Sequence, residues 1–471
     1  MRYAMQGETY LSSTGTCSNR LQHVSSSNSE GLTHSGGTSS SMNNFSQQRQ
    51  LSIGSVTTES SEMSNFVVEG MTPEQLLVIC ATAIKQNDSS VVEKAVSALK
   101  KVSSIQGEPS ERATAYFLKA LLLRRSSMPD VSNFTSSSET TNSDEVQWTE
   151  RRYSLTELTR LVDLTPYFRF GYTASNGALL EAFEGVEQIH ILDFSTTHGM
   201  QWPTFIEALS DREHGPPSSF RLTLLSSSVP FPPRLQTTYE EVGQRLSKYA
   251  RLRNIPFDFD VLSQPLANLS SSDLRLREEE VLGVNLSLRI HHLSEESTDE
   301  SSPRESQQYG APQSLCPGDK FLYLIRCLNP TVVTLYEEDC DTSSSCFVKR
   351  VEQSYAYEWM PFDFLATIWP SENSERQEHE KNVGKKIENI VACEGLNRLN
   401  RLESKKQWLR RMNKLRFRIQ PVREDVKSQL QDVVDHHNTG WGMKNDEETN
   451  TQSLLWKGNP LTFSSSWVPA P

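Results

Sequence analysis

Residues 186–210, VEQIHILDFSTTHGMQWPTFIEALS, constrain the fold more than any other stretch of the chain. The run from Ile189 to Phe194 is short and does not alternate apolar with polar, the pattern of a strand covered on both faces in a parallel sheet. It stops at Ser195, Thr196 and Thr197. Beyond Gly199, the residues Trp202, Phe205, Ile206 and Leu209 recur at helical spacing, as an amphipathic helix laid back on the sheet requires. In such strand–loop–helix units ligands sit beyond the carboxyl ends of the strands, so the loop from Asp193 to Gly199 is where a nucleotide would be held.

The 471 residues suit one large α/β domain with tails or two domains. An apolar share of 36% is low for a chain packed throughout, so part of the length lies outside any core. A net charge of −12 opposes indiscriminate binding to nucleic acid or anionic membrane unless a local patch reverses it. The 7 cysteines are odd in number and lack CxxC pairs, which suits a reducing compartment. There is no charged-then-apolar leader and no apolar window of the roughly 18 residues that span a bilayer, so neither export nor membrane insertion is expected.

Residues 1–68 are rich in Ser, Asn, Gln, Thr and Gly, lack lysine and show no apolar period, so they read as a disordered arm. At Thr72 the character changes: a capping residue, Pro73 and Glu74 start a helix. Leu76, Leu77, Cys80, Ala81 and Ile84 form one face, Val91, Val92, Ala95 and Leu99 a second helix, and Ala113–Leu123 a third. With helices at Leu155–Leu164 and Ala174–Phe183 they make residues 69–185 a mainly helical cap. The core, 186–470, then repeats the strand–helix theme: strands at Phe220–Leu225, Phe257–Leu262, Val281–Ile290 and Val332–Tyr336, with helices at Tyr239–Leu252 and Phe321–Leu328. Long helices follow to about Met412, then a strand at Phe417–Val422, a helix at Val426–His436, and strands at Leu454–Lys457 and Leu461–Trp467 turned by Gly458 and Asn459. Ser-rich inserts fall near 126–147 and 294–314. The pattern predicts an α/β fold, a Rossmann-like, class I methyltransferase-like, mostly parallel sheet with an α-helical cap and a disordered N-terminal arm.

A methyltransferase is therefore the enzyme to test. Such enzymes follow the first strand with D/E-x-G-x-G-x-G, because a side chain there blocks the cofactor's approach to the backbone. Counting from Asp193, the three places hold Ser195, Thr197 and Gly199, and the end of the second strand has Ser226, Ser227 and Ser228 in place of the acid that takes ribose hydroxyls. The sequence thus keeps the architecture without the cofactor chemistry: no cofactor, no small-molecule substrate and no catalysis are expected, with an S-adenosylmethionine-dependent methyltransferase as the alternative. Asp193, Ser195 and His198 have the residue types of a hydrolase triad, but they crowd one loop without a G-x-S-x-G elbow. His291 with His292, His436 with His437, and Cys340 with Cys346 lack zinc-ligand spacing. The concentrated basic segment holds Arg398, Arg401, Lys405, Lys406, Arg410, Arg411, Lys414, Arg416 and Arg418 against one acid, Glu403. Lys406, Arg410 and Lys414 fall on one helix face; with Arg411 they are the candidates for phosphate contact, and a plain solvated exterior is the competing reading.

HILDFSTTHGMQW resembles the VHIID block of the GRAS family of plant transcription regulators, with His190, Ile191 and Asp193 at its histidine, isoleucine and aspartate and Leu192 between them. The resemblance runs from about Pro73 to Trp467, with separate blocks in the family's order. LLVICATAIKQND resembles the opening of the first leucine-rich region, and Leu118, Leu121 and Leu122 spell an LxxLL docking motif, although leucines so spaced also form an ordinary core face. RCLNPTVVTLYEED with Pro330, YEWMPFDFLATI with Phe362 and Asp363, and KIENIVACEG with Glu394 and Gly395 resemble the PFYRE block; Leu454, Trp456, Ser465, Ser466 and Trp467 resemble SAW. Two positions depart: Arg416 stands where the family's W-x7-G pair, begun at Trp408, has glycine, and Ser466 replaces the terminal block's alanine. The resemblance implies a nuclear transcription regulator that binds other regulators, including GRAS homo- and heterodimers, with promoter DNA as a further partner and no membrane.

Overall fold

A computed structural model describes residues 70–127, 154–195, 199–226, 238–263, 269–293 and 316–471. The expected arm at 1–68 and the insert near 294–314 lie outside the described residues, as does the insert near 126–147 from residue 128 onward.

The central run forms β1, Gln188–Ser195. Its successive side chains feed two cores: Ile191 joins Leu179, Phe183, Phe205 and Phe220 on one face, and Leu192 joins Leu286, Phe321 and Trp408 on the other. That double burial is why the run does not alternate. β1 lies between β2 (Ser219–Ser226) and β4 (Val281–Ser287), with β3 (Phe257–Ser263) outside β2 and β5 (Val332–Glu338) outside β4, all parallel. The sheet continues antiparallel through β9 (Asn459–Pro469), β8 (Thr451–Trp456) and β7 (Trp441–Asp446), while β6 (Phe417–Gln420) pairs with the end of β9. The order β3-β2-β1-β4-β5-β9-β8-β7 is Rossmann-like, and strand order reverses between β1 and β4.

Several boundaries move for local reasons. β4 stops at Ser287 rather than Ile290 because Leu288 takes φ 51° and the chain turns into a short 3-10 segment, Ile290–His292. The last hairpin turns at Lys457 and Gly458, with φ 47° and 79°, so Trp456 faces Asn459 and the turn sits one residue earlier than expected. β7 is an additional strand, and the helix expected from Ala174 begins at Pro166, where proline occupies the first turn after Thr165.

The cap is not continuous in sequence. Helices α1 (Pro73–Gln86, opened by a Thr72–Gln75 capping box) and α3 (Pro109–Ser126) pack on two helices that follow β5, α9 (Phe347–Ile368) and α10 (Ser374–Ala392), with α2 (Ser89–Lys101) against α1 and α3. By contrast α4 (Leu155–Leu164) rests on α5 (Pro166–Ala182), which lies on the sheet; a Cβ on Gly171 of α5 would come within 2.3 Å of the Tyr336 ring. Buried ions join the pieces. Glu380 of α10 accepts from Arg112 of α3 at 3.1 Å and from Arg376 at 2.8 Å. Lys386 of α10 reaches Glu338 of β5 and Glu358 of α9, each at 2.7 Å, and Tyr167 of α5 donates to Glu338 at 2.9 Å. Burial pushes the Glu358 carboxyl up to about 7 against the pull of Lys386. Replacing Lys386 by Met would leave two buried carboxylates without their cation; a loss of about 3–5 kcal/mol is expected in denaturant unfolding, partly recovered when Glu358→Gln is added.

Candidate functional site

Asp193 stands at the carboxyl end of β1, fully buried, and both of its oxygens are occupied. The Trp202 indole N–H, from the first turn of α6 (Trp202–Ser210), donates to Oδ2 at 2.9 Å, and Asn285 Nδ2 of β4 donates to Oδ1 at 2.8 Å. The same Asn285 amide donates to Gln201 Oε1 at 3.1 Å, its Oδ1 accepts from Thr334 Oγ1 of β5 at 2.8 Å, and Gln201 donates to Asn176 Oδ1 of α5 at 3.0 Å. One buried chain of side-chain hydrogen bonds therefore ties three strands to two helices. Burial raises the Asp193 carboxyl above its usual range, and the bonds from Asn285 and Trp202 oppose that shift.

His190 is buried between β1 and β2. The guanidinium of Arg221 faces its Nδ1 at 3.0 Å, so Nδ1 accepts and Nε2 carries the proton toward Thr223 Oγ1, 2.9 Å away. Glu280 in turn holds Arg221. Burial, with Arg221 and Arg277 nearby, lowers the imidazole to about 3.

Among the described residues, one that the sequence did not single out lies across the carboxyl ends of β1 and β2. Arg289 follows β4, and its Nη1 donates to the carbonyls of Ser195, 3.1 Å, and Leu225, 3.0 Å, the closing turns of β1 and β2. Its cation lies 4.7 Å from the centre of the Phe194 ring. Glu337 fixes this corner: its Oε1 accepts the N–H groups of Arg289 and Ile290, and its Oε2 accepts from His291 Nδ1 at 2.6 Å. A nucleotide held against β1 and β2 would have to displace a buried guanidinium. Ser195 and Ser226 close their strands as expected; Thr197, His198, Ser227 and Ser228 lie outside the described residues. The one loop glycine, Gly199, has φ 79° and faces α7 (Tyr239–Leu252), where a Cβ would come within 2.6 Å of Val242 Cγ1. It is required by backbone and packing.

Residues 73–468 match the GRAS domain family. The chain belongs to that family. It is 37% identical over 403 residues to Scarecrow-like protein 32 of Arabidopsis thaliana, covering 84% of this chain and 93% of the relative. Against Scarecrow-like transcription factor PAT1 of the same plant, identity is 29% over 398 residues, 83% of this chain and 75% of the relative. The crystal structure of SCL7 from Oryza sativa shares the fold, with a TM-score of 0.67 at 24% identity over 84% of this chain and 99% of that one.

The residues that resemble the family's terminal block lie in the core. Leu454, Trp456, Ser465, Ser466 and Trp467 are all buried; the Trp456 indole donates to Asp363 Oδ2 at 2.8 Å, and that of Trp467 to Ser465 Oγ at 2.9 Å. Leu118 and Leu121 are buried, while Leu122, 39% exposed, and Leu123, 40% exposed, face outward. Arg416, at the departure from the glycine pattern, has φ 58°, a left-handed backbone that glycine adopts freely.

The basic helix α11 (Lys405–Lys414) opens with a Ser404–Gln407 capping box and buries Trp408 and Met412. Arg411 does not share the exposed face: it is paired with Glu403 and, at 2.7 Å, with Asp319 of α8 (Pro317–Cys327), so it leaves the set of nucleic-acid contacts. Arg398 and Arg401 are buried, and Lys405 is 3.1 Å from Asp446. Lys406, Arg410 and Lys414 remain exposed beside Arg416 and Arg418, with Lys414 3.7 Å from Asp319.

Two outcomes follow from this geometry. Because the folded His190 is held neutral down to about 3 against 6.5 for the free imidazole, its contribution is full above pH 6.5 and is lost as pH falls. Thermal stability should drop between pH 6.5 and 4, and His190→Gln should flatten that part of the profile. Arg416→Gly should raise stability by up to about 1 kcal/mol in denaturant unfolding by relieving the left-handed backbone.

Proposed function

We propose that this chain is a nuclear regulator of transcription that works by binding other regulators, a second GRAS chain among them, and that it touches DNA phosphates through Lys406, Arg410 and Lys414. Membership of a family that includes a named transcription factor supports the first part. The observation that supports the reading against an enzyme is the Arg289 guanidinium seated on the carbonyls of Ser195 and Leu225, at the strand ends where such a sheet holds a nucleotide. Surface remains for partners: the exposed Leu122 and Leu123 on the cap, and the basic face of α11.

Reversing Lys406, Arg410 and Lys414 to Glu should leave the melting temperature nearly unchanged and lower promoter-DNA affinity at least about tenfold. It should also flatten the log-affinity against log-salt slope by about 3, one unit per phosphate contact. Unchanged affinity would remove this face from the DNA reading, and exclusion of the tagged chain from nuclei would contradict the regulator reading.

A further inference from the structure

Outside the sheet edge and the basic helix, one short pattern occurs twice: Arg-Arg-x-Ser-apolar, as Arg124-Arg125-Ser126-Ser127-Met128 and as Arg151-Arg152-Tyr153-Ser154-Leu155. Paired guanidiniums two and three residues before a hydroxyl are a recognition element for a cleft lined with carboxylates, since planar guanidinium pairs with carboxylate bidentately.

The first copy ends α3. Ser127 is its C-cap, exposed, and the hydroxyls of Ser126 and Ser127 converge on one acceptor, the Leu123 carbonyl, at 2.8 and 2.9 Å. Arg125 is exposed. Arg124 is instead drawn inward, 2.8 Å from Glu394 with its cation 4.9 Å from the Phe347 ring of α9. Glu394 has two further arginines: Arg350 of α9 bonds it, and Arg398 lies 3.9 Å away. Arg124 therefore ties the end of α3 to Phe347 of α9 and to Glu394 just beyond α10, and Glu394 stays charge-compensated without it.

We propose that Ser127 is a phosphorylation site for an acidic-cleft serine/threonine protein kinase, and that the phosphate releases the end of α3 from α9. In the transfer, Ser127 Oγ bonds to the γ-phosphorus of ATP as the bond to the leaving ADP breaks, and the hydroxyl proton passes to the kinase's catalytic carboxylate. The terminal turn, held by hydroxyl caps, has to unwind to enter such a cleft. The phosphate then carries about −2 charge at the negative end of the helix, removes the Ser127 cap, and offers Arg124 a partner three residues away in competition with Glu394. Leu122 and Leu123 ride on the same turn. The proposal stands apart from the partner-binding reading and does not depend on it.

The second copy supplies an internal comparison. Ser154 caps α4: its Oγ accepts from Glu157 N at 3.2 Å and donates to Glu157 Oε2 at 3.0 Å. A phosphate there would meet that carboxylate.

The test treats the full chain with ATP and the catalytic subunit of cyclic-AMP-dependent protein kinase, an acidic-cleft probe, and maps phosphate by mass spectrometry. Ser127 should be modified, at least about tenfold faster than Ser154. Ser126→Ala should retain the modification and Ser127→Ala should lose it. Amide exchange over residues 118–127 should then speed up at least about tenfold in the phosphorylated chain. A full chain left unmodified at Ser127, while a peptide of residues 120–131 is modified readily, would overturn the site. Unchanged exchange after modification would overturn the release of α3.

Discussion

The pair of hydrogen bonds on Asp193 is the constraint from which the rest of the sheet follows. A carboxylate with no water around it is costly unless donors meet both oxygens, and here the donors arrive from a helix on one side, Trp202, and a neighbouring strand on the other, Asn285. Satisfying them fixes how α6 folds back on β1 and how β4 lies beside it. Through Thr334 and Gln201 the same bonds pass on to β5 and toward α5, so a polar residue near the end of an apolar run ties both layers together. Arg289 completes the arrangement by closing over the ends of β1 and β2. In a nucleotide-binding sheet those strand ends stay open; here the carbonyls of Ser195 and Leu225 are bonded to a side chain of the protein.

The same logic shapes the cap. Helices from two distant stretches of the sequence meet there, and the contacts that choose this pairing include buried charges: Arg112 with Glu380 across α3 and α10, and Lys386 with Glu338 and Glu358 across α10, β5 and α9. Such clusters add little net stability over apolar packing of equal volume, but each member is expensive to orphan. They hold the cap on the core in one arrangement.

Much of this was legible from the sequence, and what was not had a common cause. The β1–loop–α6 unit could be read because burial on both faces erases alternation and the next helix restores a 3.6-residue period. Thr72 announced α1 through its own cap. Arg289 was hidden because an arginine at the end of an apolar run looks like a strand leaving the core; only the neighbouring carbonyls, supplied by residues far away in sequence, reveal a buried cation. The joining of α9 and α10 to α1–α3 is likewise a long-range pairing with no local signature. In the basic segment, composition counted charges without knowing partners: Arg411 meets Asp319 from another helix, and Arg398 and Arg401 turn inward. The turn at Lys457–Gly458 slipped by one because lysine at positive φ is uncommon and the residues alone favoured Gly458 with Asn459.

The central claim is that the sheet's carboxyl edge is occupied by its own side chains. Titration calorimetry of the full chain with S-adenosylmethionine tests it most directly. No saturable heat is expected as the methyl donor rises to about millimolar concentration, while micromolar binding would mean that Arg289 and Asp193 yield to a cofactor and would contradict that occupancy.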